Sequence, residues 1–171
     1  EGLSAALYYA VHSTVAAAGL FLIADMVTRR RGASGDALRT APPIANDALI
    51  SGLFFVAAIA MAGLPPFSGF IGKLLILDAA RASAWGPWIW TLILVTSLVV
   101  VVGFARAGST VFWKAQAVGG GLVAAAPPPE RDFDTPHRET GTMRLAVYAL
   151  LAVVALLVVF AGPVTAAMEA T

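Results

Sequence analysis

A long apolar segment interrupted by two prolines constrains this chain more than any other feature. Residues 48–77 read ALISGLFFVAAIAMAGLPPFSGFIGKLLIL and contain a single charge, Lys73. A straight helix over this segment would rise about 45 Å, which exceeds the roughly 30 Å hydrocarbon core of a bilayer. Pro65 and Pro66 remove backbone donors. The segment is therefore predicted to be a membrane span broken at Pro65–Pro66, with the break inside a helix bundle or beside water.

Lys73 follows the break, where a charge costs roughly 2.5–3.5 kcal/mol at the bilayer centre. Lysine is the cation that can give up its proton when buried, so this position suits proton transfer. The alternative is that Lys73 extends along its stem to the membrane interface near Asp78 and Arg81. The residues predicted to form the helix break are Gly63, Pro65, Pro66, Gly69 and Gly72.

The composition indicates a membrane protein and excludes several classes of site. Of 171 residues, 59% are hydrophobic and 12% are charged. The net charge of +1 gives no indication of a nucleic-acid partner. The absence of cysteine excludes disulfides, thiolate-ligated clusters and a cysteine nucleophile. With His12 and His137 as the only histidines, we expect no metal site and no cofactor within this chain.

The first predicted span, residues 3–27, carries a polar stripe. Ser4, Tyr8 and His12 recur at four-residue intervals and so share one helix face. A proton path would use such a stripe, because imidazole can both accept and donate. The alternative is a histidine that only holds helices together. Four side chains are predicted to support a water or polar path, although such hydroxyls often bond their own backbone: Tyr8, Ser13, Thr14 and Ser68.

The remaining segments complete a prediction of four spans. The second span covers 48–80, the third covers 88–113 with aromatic residues at both ends, and the last falls within 143–171. The three connections carry four, one and four basic residues in turn. The positive-inside rule therefore places the first and third connections in the cytoplasm and the C-terminus outside.

The predicted fold is an all-α integral membrane protein with four transmembrane helices, the second discontinuous at Pro65–Pro66. The domain prediction is an end-of-array part over 1–115, a cytoplasmic linker over 116–142 and a last transmembrane helix over 143–171. The chain begins at Glu1 rather than methionine, immediately before an apolar segment. We therefore expect it to be the C-terminal part of a longer helical array.

The motif AGLPPFSGFIGKLLIL, with YYAVHSTVAAAGLFLIAD and GSTVFWKA, resembles a known family. These are the antiporter-like membrane subunits shared by Mrp-type multisubunit cation/proton antiporters and respiratory complex I, most closely the Mrp D subunits. The resemblance covers residues 3–115. It implies that Lys73 matches the lysine of the second broken helix, which takes part in proton transfer, and that His12 matches the relay histidine. The family's first broken helix is absent here, so this chain alone is not expected to complete a transport cycle.

The resemblance implies a proton-translocating part of a sodium or potassium/proton antiporter in the bacterial inner membrane, a secondary transporter subunit rather than an enzyme. Its expected partners are the other subunits of the complex, protons, sodium or potassium, and the lipid bilayer. Two alternatives remain open. One is a proton-pumping membrane-arm subunit of an NADH:quinone oxidoreductase-type complex, and the other is a structural scaffold subunit.

Overall fold

The computed structural model describes residues 2–31, 35, 37–40, 47–114 and 141–169, and all regular secondary structure in these residues is helical. A π-helical turn over Ser109–Trp113 continues the fourth helix. The helices are α1 (Gly2–Arg30), α2 (Asp47–Ala62), α3 (Ser68–Ala79), α4 (Gly86–Gly108), α5 (Gly141–Val159) and α6 (Ala161–Glu169).

Three helical segments of the described chain are long and apolar enough to cross a membrane. They are Gly2–Arg30, Gly86–Trp113 and Gly141–Val159. The apolar part of α2, Ala48–Ala62, is shorter than a membrane-spanning helix. The all-α membrane class predicted from the sequence agrees with these helices.

The first helix is the centre of the packing, because α2, α3, α5 and α6 all contact it. One apolar core lies where α1, α2 and α5 meet, with the side chains of Ile23, Ile50 and Val147 fully buried. α5 packs against α1 at Gly19, where a Cβ would lie 3.7 Å from the Cβ of Leu150, an ordinary van der Waals distance. These contacts position the buried polar face of α1 against α3.

The fourth helix differs from the first in burying little of its surface. Trp85 and Trp88 near its start and Trp113 at the end of its π-helical turn are 70%, 72% and 78% exposed. Such outward-facing aromatic residues at both ends are typical of a helix that meets two membrane–water interfaces. Trp90 connects α4 to α3, because its indole N–H donates to the carbonyl of Leu77 at 3.0 Å.

The last predicted span departs from a single continuous helix. α5 ends at Val159, and α6 begins at Ala161 after a turn at Phe160. Pro163 explains the interruption, because a proline inside a helix cannot donate to the carbonyl four residues earlier and its ring clashes with it. The predicted linker over 116–142 lies outside the described residues, except that 141 and 142 begin α5.

Arg31, directly after α1, organises the start of the first connection. Its guanidinium donates to the carbonyls of Gly35 at 3.2 Å and Ala37 at 2.5 Å, and also to that of Arg39. Burial lowers the pKa of Arg31, and the nearby positive charge of Arg39 lowers it further. Arginine nevertheless stays charged in proteins, so the end of α1 carries a fixed positive group.

Candidate functional site

The backbone between α2 and α3 leaves a carbonyl without its helical partner. α2 ends at Ala62 and α3 begins at Ser68. Between them Gly63 has a φ of 67°, and the Pro65–Pro66 peptide is cis. In a continuous helix the carbonyl of Ala62 would accept from the N–H of residue 66, and Pro66 has no N–H. The carbonyl of Ala62 can therefore accept a hydrogen bond from a side chain.

The amine of Lys73 donates this hydrogen bond. Its Nζ donates to the carbonyl of Ala62 at 2.6 Å and to Oγ of Ser97 at 2.8 Å. The Ser97 hydroxyl donates its own hydrogen to the carbonyl of Ile93 at 2.6 Å, so it receives Lys73 on a lone pair. The half-buried amine thus has partners on α2 and α4, a geometry that favours a retained amine over one that extends to the membrane interface.

His12, in α1, contacts the same interrupted segment at a separate and more enclosed position. The side chain is 1% exposed. Its Nδ1 lies 2.7 Å from Oγ of Ser68, and its Nε2 lies 3.2 Å from the carbonyl oxygen of Ala60. The Ser68 hydroxyl also donates to the carbonyl of Val154 at 2.9 Å. The histidine therefore connects α1, α2 and α3, and through Ser68 it is connected to α5.

The number of hydrogens available to this network depends on the charge of His12. Three hydrogen bonds, His12–Ser68, His12–Ala60 and Ser68–Val154, require three hydrogens. Both carbonyls only accept, and the hydroxyl has one hydrogen to give. A neutral imidazole supplies one N–H, so one of the bonds is lost, whereas an imidazolium supplies two and completes all three. The charge of His12 thus decides whether all three hydrogen bonds can be made at once.

Two glycines give the titratable side chains the room that these contacts need. A Cβ at Gly63 would lie 2.8 Å from both Cε and Nζ of Lys73. A Cβ at Gly69 would lie 2.8 Å from the carbonyl oxygen of Ala60 and would overlap Nε2 of His12. Each glycine therefore allows one buried titratable group to approach the backbone.

Two of the five residues predicted to form the break lie within a helix. Gly69 and Gly72 lie inside α3, whereas Gly63, Pro65 and Pro66 lie between the helices. At Gly72 a Cβ would come within 3.0 Å of Cδ2 of Tyr9. Both helical glycines serve close packing of α3 against α1, a role that a sequence pattern does not separate from helix breaking.

A cavity of about 380 Å³ lies beside the Lys73 amine. Its described lining includes Lys73 but not His12, and it combines apolar side chains with a few polar groups. The lining residues come from α1 to α4 and include Tyr9, Met61, Lys73, Ile93, Ser97 and Phe104. The volume is sufficient for several water molecules, at about 30 Å³ each in the liquid.

The side chains predicted to support a polar path divide into two groups. Ser4, Tyr8 and His12 are all buried, as their shared helix face predicts. Tyr8 donates to the carbonyl of Leu157 in α5 at 2.7 Å. The hydroxyls of Ser13 and Thr14 instead donate to the carbonyl of Ala10 in their own helix, at 3.0 and 2.8 Å. The structure therefore brings Ser68 to His12 but does not bring Ser13 or Thr14 to the site.

Sequence reasoning missed the groups that accept hydrogen bonds from Lys73, His12 and Ser68. The sequence indicates only helix packing for Ser97, and no spacing connects it to Lys73. The carbonyl of Ala62 could have been found, because Pro66 cannot donate to the carbonyl four residues earlier. The carbonyl of Ala60 could not have been found in this way, since it accepts from the backbone N–H of Gly63 at 3.1 Å as well as from His12. The carbonyl of Val154 lies on a helix without charged residues near it, and no sequence signal indicates its role.

The polar groups that meet at the site are nitrogen and oxygen groups joined by hydrogen bonds. Among the described residues, no three His, Cys, Asp or Glu side chains are grouped so that they could hold a metal ion. The available groups are an amine, an imidazole, hydroxyls and carbonyls. Of these, the amine and the imidazole are titratable, whereas the hydroxyls and carbonyls only donate or accept hydrogen bonds.

Comparison with known proteins identifies the family. The sequence profile of the NADH:quinone oxidoreductase/Mrp antiporter transmembrane family matches residues 1–100. The D subunit of a probable K(+)/H(+) antiporter from Rhizobium meliloti (strain 1021) is 28% identical over 65% of this chain and 26% of its own length. The D subunit of the Na(+)/H(+) antiporter from Bacillus subtilis (strain 168) is 31% identical over 65% of this chain and 22% of its own length.

A relative from an NADH-quinone oxidoreductase aligns with more of the chain than the antiporter subunits do. The N 2 subunit of the NADH-quinone oxidoreductase from Symbiobacterium thermophilum is 30% identical over 95% of this chain and 28% of its own length. The chain thus spans about a quarter of the length of these relatives. No solved structure gives a significant match.

These matches confirm the resemblance found in the sequence, since relatives of both kinds, antiporter D subunits and oxidoreductase N subunits, align with the chain that contains the interrupted segment. Together with the apolar helices, they identify a multi-pass membrane protein. The chain therefore belongs to the NADH:quinone oxidoreductase/Mrp antiporter family of transmembrane proteins.

Proposed function

We propose that this chain is a proton-translocating part of a multisubunit sodium or potassium/proton antiporter, with Lys73 and His12 as its proton relay. One observation carries the proposal. Two carbonyls in the last turn of α2, those of Ala60 and Ala62, accept hydrogen bonds from the imidazole and the amine respectively. An interrupted helix thus presents its end to two titratable side chains, an arrangement typical of transporter sites.

The electrostatics of the helix end support the relay. The C-terminus of a helix carries a partial negative charge of about half an electron, which favours a cation there. His12 and Lys73 both use the same end, so a proton on one side chain repels a proton on the other. In a low-dielectric interior this repulsion is strong, and the two groups titrate as a coupled pair. A proton that arrives on one of the two side chains then favours release of the proton from the other, directly or through water.

The proposed topology follows from the break and from the basic residues. α2 and α3 together form one discontinuous span, which makes four spans with α1, α4 and α5–α6. The domain division is 1–115, a linker over 116–142 and the last span over 143–171. The arginines at the end of α1 face the cytoplasm of a bacterial cell, and the chain ends outside.

The proposed partners follow from the length of the relatives. Because the chain spans about a quarter of their length, the remaining helices and the other subunits of the complex would supply the second half of the path. Sodium or potassium would move elsewhere in that assembly, coupled to the charge on Lys73. The relay itself requires no metal and no organic cofactor.

Replacing Lys73 in the full-length protein tests the proposal. The complete complex is placed in membrane vesicles, and proton movement driven by a sodium or potassium gradient is followed with a pH-sensitive dye. Lys73→Ala removes the amine and is expected to abolish exchange. Lys114→Ala is the matched control, because Lys114 is the only other lysine of the chain and is exposed. Assembly of each variant is checked by recovery of the intact complex. Exchange at the wild-type rate in an assembled Lys73→Ala complex contradicts the relay.

A second candidate function has its own observation. The oxidoreductase N subunit aligns with 95% of this chain, more than the antiporter D subunits do. In that case the same relay would be driven by a redox reaction in partner subunits. Vesicles that pump protons on addition of NADH, and not on addition of a cation gradient, would establish this function. If Lys73→Ala and His12→Ala both leave every proton movement intact, the chain acts as a structural scaffold.

A further inference from the structure

Ser97 accepts a hydrogen bond from the Lys73 amine but has no role in the relay described so far. Two acceptors hold Nζ, the carbonyl of Ala62 at 2.6 Å and Oγ of Ser97 at 2.8 Å. Gly63 closes a third side, since a Cβ there would lie 2.8 Å from Nζ. The cavity of about 380 Å³ borders both Lys73 and Ser97. The amine is thus enclosed by α2 and α4 and open toward the cavity.

The direction of each hydrogen bond defines what Ser97 does. Its single hydrogen goes to the carbonyl of Ile93 at 2.6 Å, so its oxygen can only accept from Lys73. A neutral amine has two hydrogens and one lone pair, and these two acceptors use both hydrogens. The lone pair is then the only site left on the nitrogen, and it is where a proton adds. With either acceptor missing, the amine can rotate and its lone pair has no fixed direction.

The bond to Ser97 is not shared by similar residues of the same helix. Thr91 also returns its hydroxyl hydrogen to the carbonyl four residues earlier, that of Pro87, at 2.8 Å. Thr91 is exposed and does not line the cavity. Back-bonding hydroxyls are therefore ordinary in α4, whereas the bond from Lys73 distinguishes Ser97.

We infer that Ser97 is a positioning residue for proton transfer at Lys73, holding the amine so that its lone pair is available to water in the cavity. The inference rests on the proposed function, because it concerns the same amine. Ser97 exchanges no proton itself. It acts by fixing the orientation of Lys73 and by accepting a bond that is stronger from the ammonium than from the amine.

The pH profile of exchange separates positioning from simple packing. Ser97→Ala removes an acceptor that stabilises the ammonium more than the amine, so the ammonium is lost at lower pH. We expect the pH of half-maximal exchange to move about one unit lower, since one unit corresponds to the difference between a charge-assisted and a neutral hydrogen bond. At the wild-type optimum the rate is expected to fall about tenfold.

Three further variants make the experiment decisive, all in the full-length complex. Ser97→Thr keeps the hydroxyl and its bond to Ile93 and is expected to restore the wild-type pH profile. Ser97→Cys keeps the side-chain size with a weak acceptor and is expected to shift the profile as Ser97→Ala does, which covers the case in which the alanine variant fails to assemble. Thr91→Val removes an exposed hydroxyl of the same helix and is expected to change neither rate nor profile.

The outcomes distinguish this inference from the proposed function. Loss of exchange in Lys73→Ala with wild-type pH profiles for Ser97→Ala and Ser97→Cys overturns only the role of Ser97. A profile shift that Ser97→Thr does not reverse also overturns it, because size and not the hydroxyl would then be responsible. Unchanged exchange in Lys73→Ala instead rejects the relay itself.

Discussion

His12 and Lys73 use the same end of α2 but have opposite surroundings. His12 is 1% exposed, and both of its ring nitrogens contact protein groups. Lys73 is half-buried and borders a cavity of about 380 Å³. One group is therefore closed within packed helices, and the other is open to a space that can hold water.

In the relay proposed above, this difference would give the two groups different steps. A closed group exchanges protons only through its hydrogen-bond partners. For His12 these partners extend to α5 through Ser68 and the carbonyl of Val154. An open site exchanges protons with water and needs only a fixed geometry. For Lys73 the carbonyl of Ala62 and Ser97 supply that geometry.

The largest expected effect is at the closed site, where an added methyl group has no space. In Gly69→Ala the new Cβ would lie 2.8 Å from the backbone oxygen of Ala60 and would overlap the ring of His12. Backbone cannot move aside as a flexible side chain can, so we expect the free energy of unfolding to fall by about 3 kcal/mol, the upper end of overpacking costs. Thermal unfolding of the purified complex measures this loss.

Gly52→Ala is the control for this substitution, because a Cβ at Gly52 in α2 meets nothing within 4 Å. Alanine is the better helix former there by up to about 1 kcal/mol, so this variant should be as stable as the wild type or more so. Equal stability of the Gly69 and Gly52 variants would show that the histidine site is not tightly closed.

A smaller effect is expected when the closed site loses its hydroxyl. Ser68→Ala removes the partner of Nδ1 of His12, which leaves this buried nitrogen unpaired, and it removes the side-chain bond to the carbonyl of Val154. We expect a loss of about 2 kcal/mol in the free energy of unfolding. Ser13→Ala is the matched control, since the Ser13 hydroxyl bonds only its own helix at Ala10; its cost should stay below about 0.5 kcal/mol. Equal costs would contradict the network around His12.

Sequence patterns predicted the class of the fold and which polar face of α1 is buried, but not the hydrogen bonds between helices. Periodicity placed Ser4, Tyr8 and His12 on one buried face, because side-chain direction along a helix is fixed by its geometry. Proline chemistry indicated an interruption near Pro65 and Pro66 for the same local reason. These predictions needed only short-range rules.

The contacts across helices could not be predicted in this way. Ser97 is twenty-four residues from Lys73 in the chain, and Ser68 is eighty-six from Val154. Such pairs depend on how the helices pack against one another. Ser13 and Ser97 look alike in sequence, but only Ser97 accepts a hydrogen bond from a side chain. The glycines illustrate the same limit, because Gly63 turns the backbone while Gly69 admits a ring.

The smallest effect on stability, and the most informative one for the open site, is expected at Gly63. Its φ of 67° lies in the left-handed region, where a side chain costs about 1–2 kcal/mol. A Cβ there would approach Cε and Nζ of Lys73 to 2.8 Å, and this flexible side chain can withdraw into the neighbouring cavity. Gly63→Ala should therefore lower the free energy of unfolding by only about 1–2 kcal/mol while moving the amine away from the carbonyl of Ala62.

Loss of that position is expected to reduce cation-driven proton exchange about tenfold, in proportion to one lost hydrogen bond to a charged group. Gly103→Ala in α4 is the control, because a Cβ there meets nothing within 4 Å. Exchange and thermal stability are measured on the same preparations. A substitution at the closed site mainly lowers stability, whereas one at the open site mainly displaces the amine. Gly63→Ala should therefore reduce proton exchange much more than thermal stability, whereas Gly69→Ala should reduce both. If Gly63→Ala loses stability as severely as Gly69→Ala, the amine has no free space beside it and the two sites are closed alike.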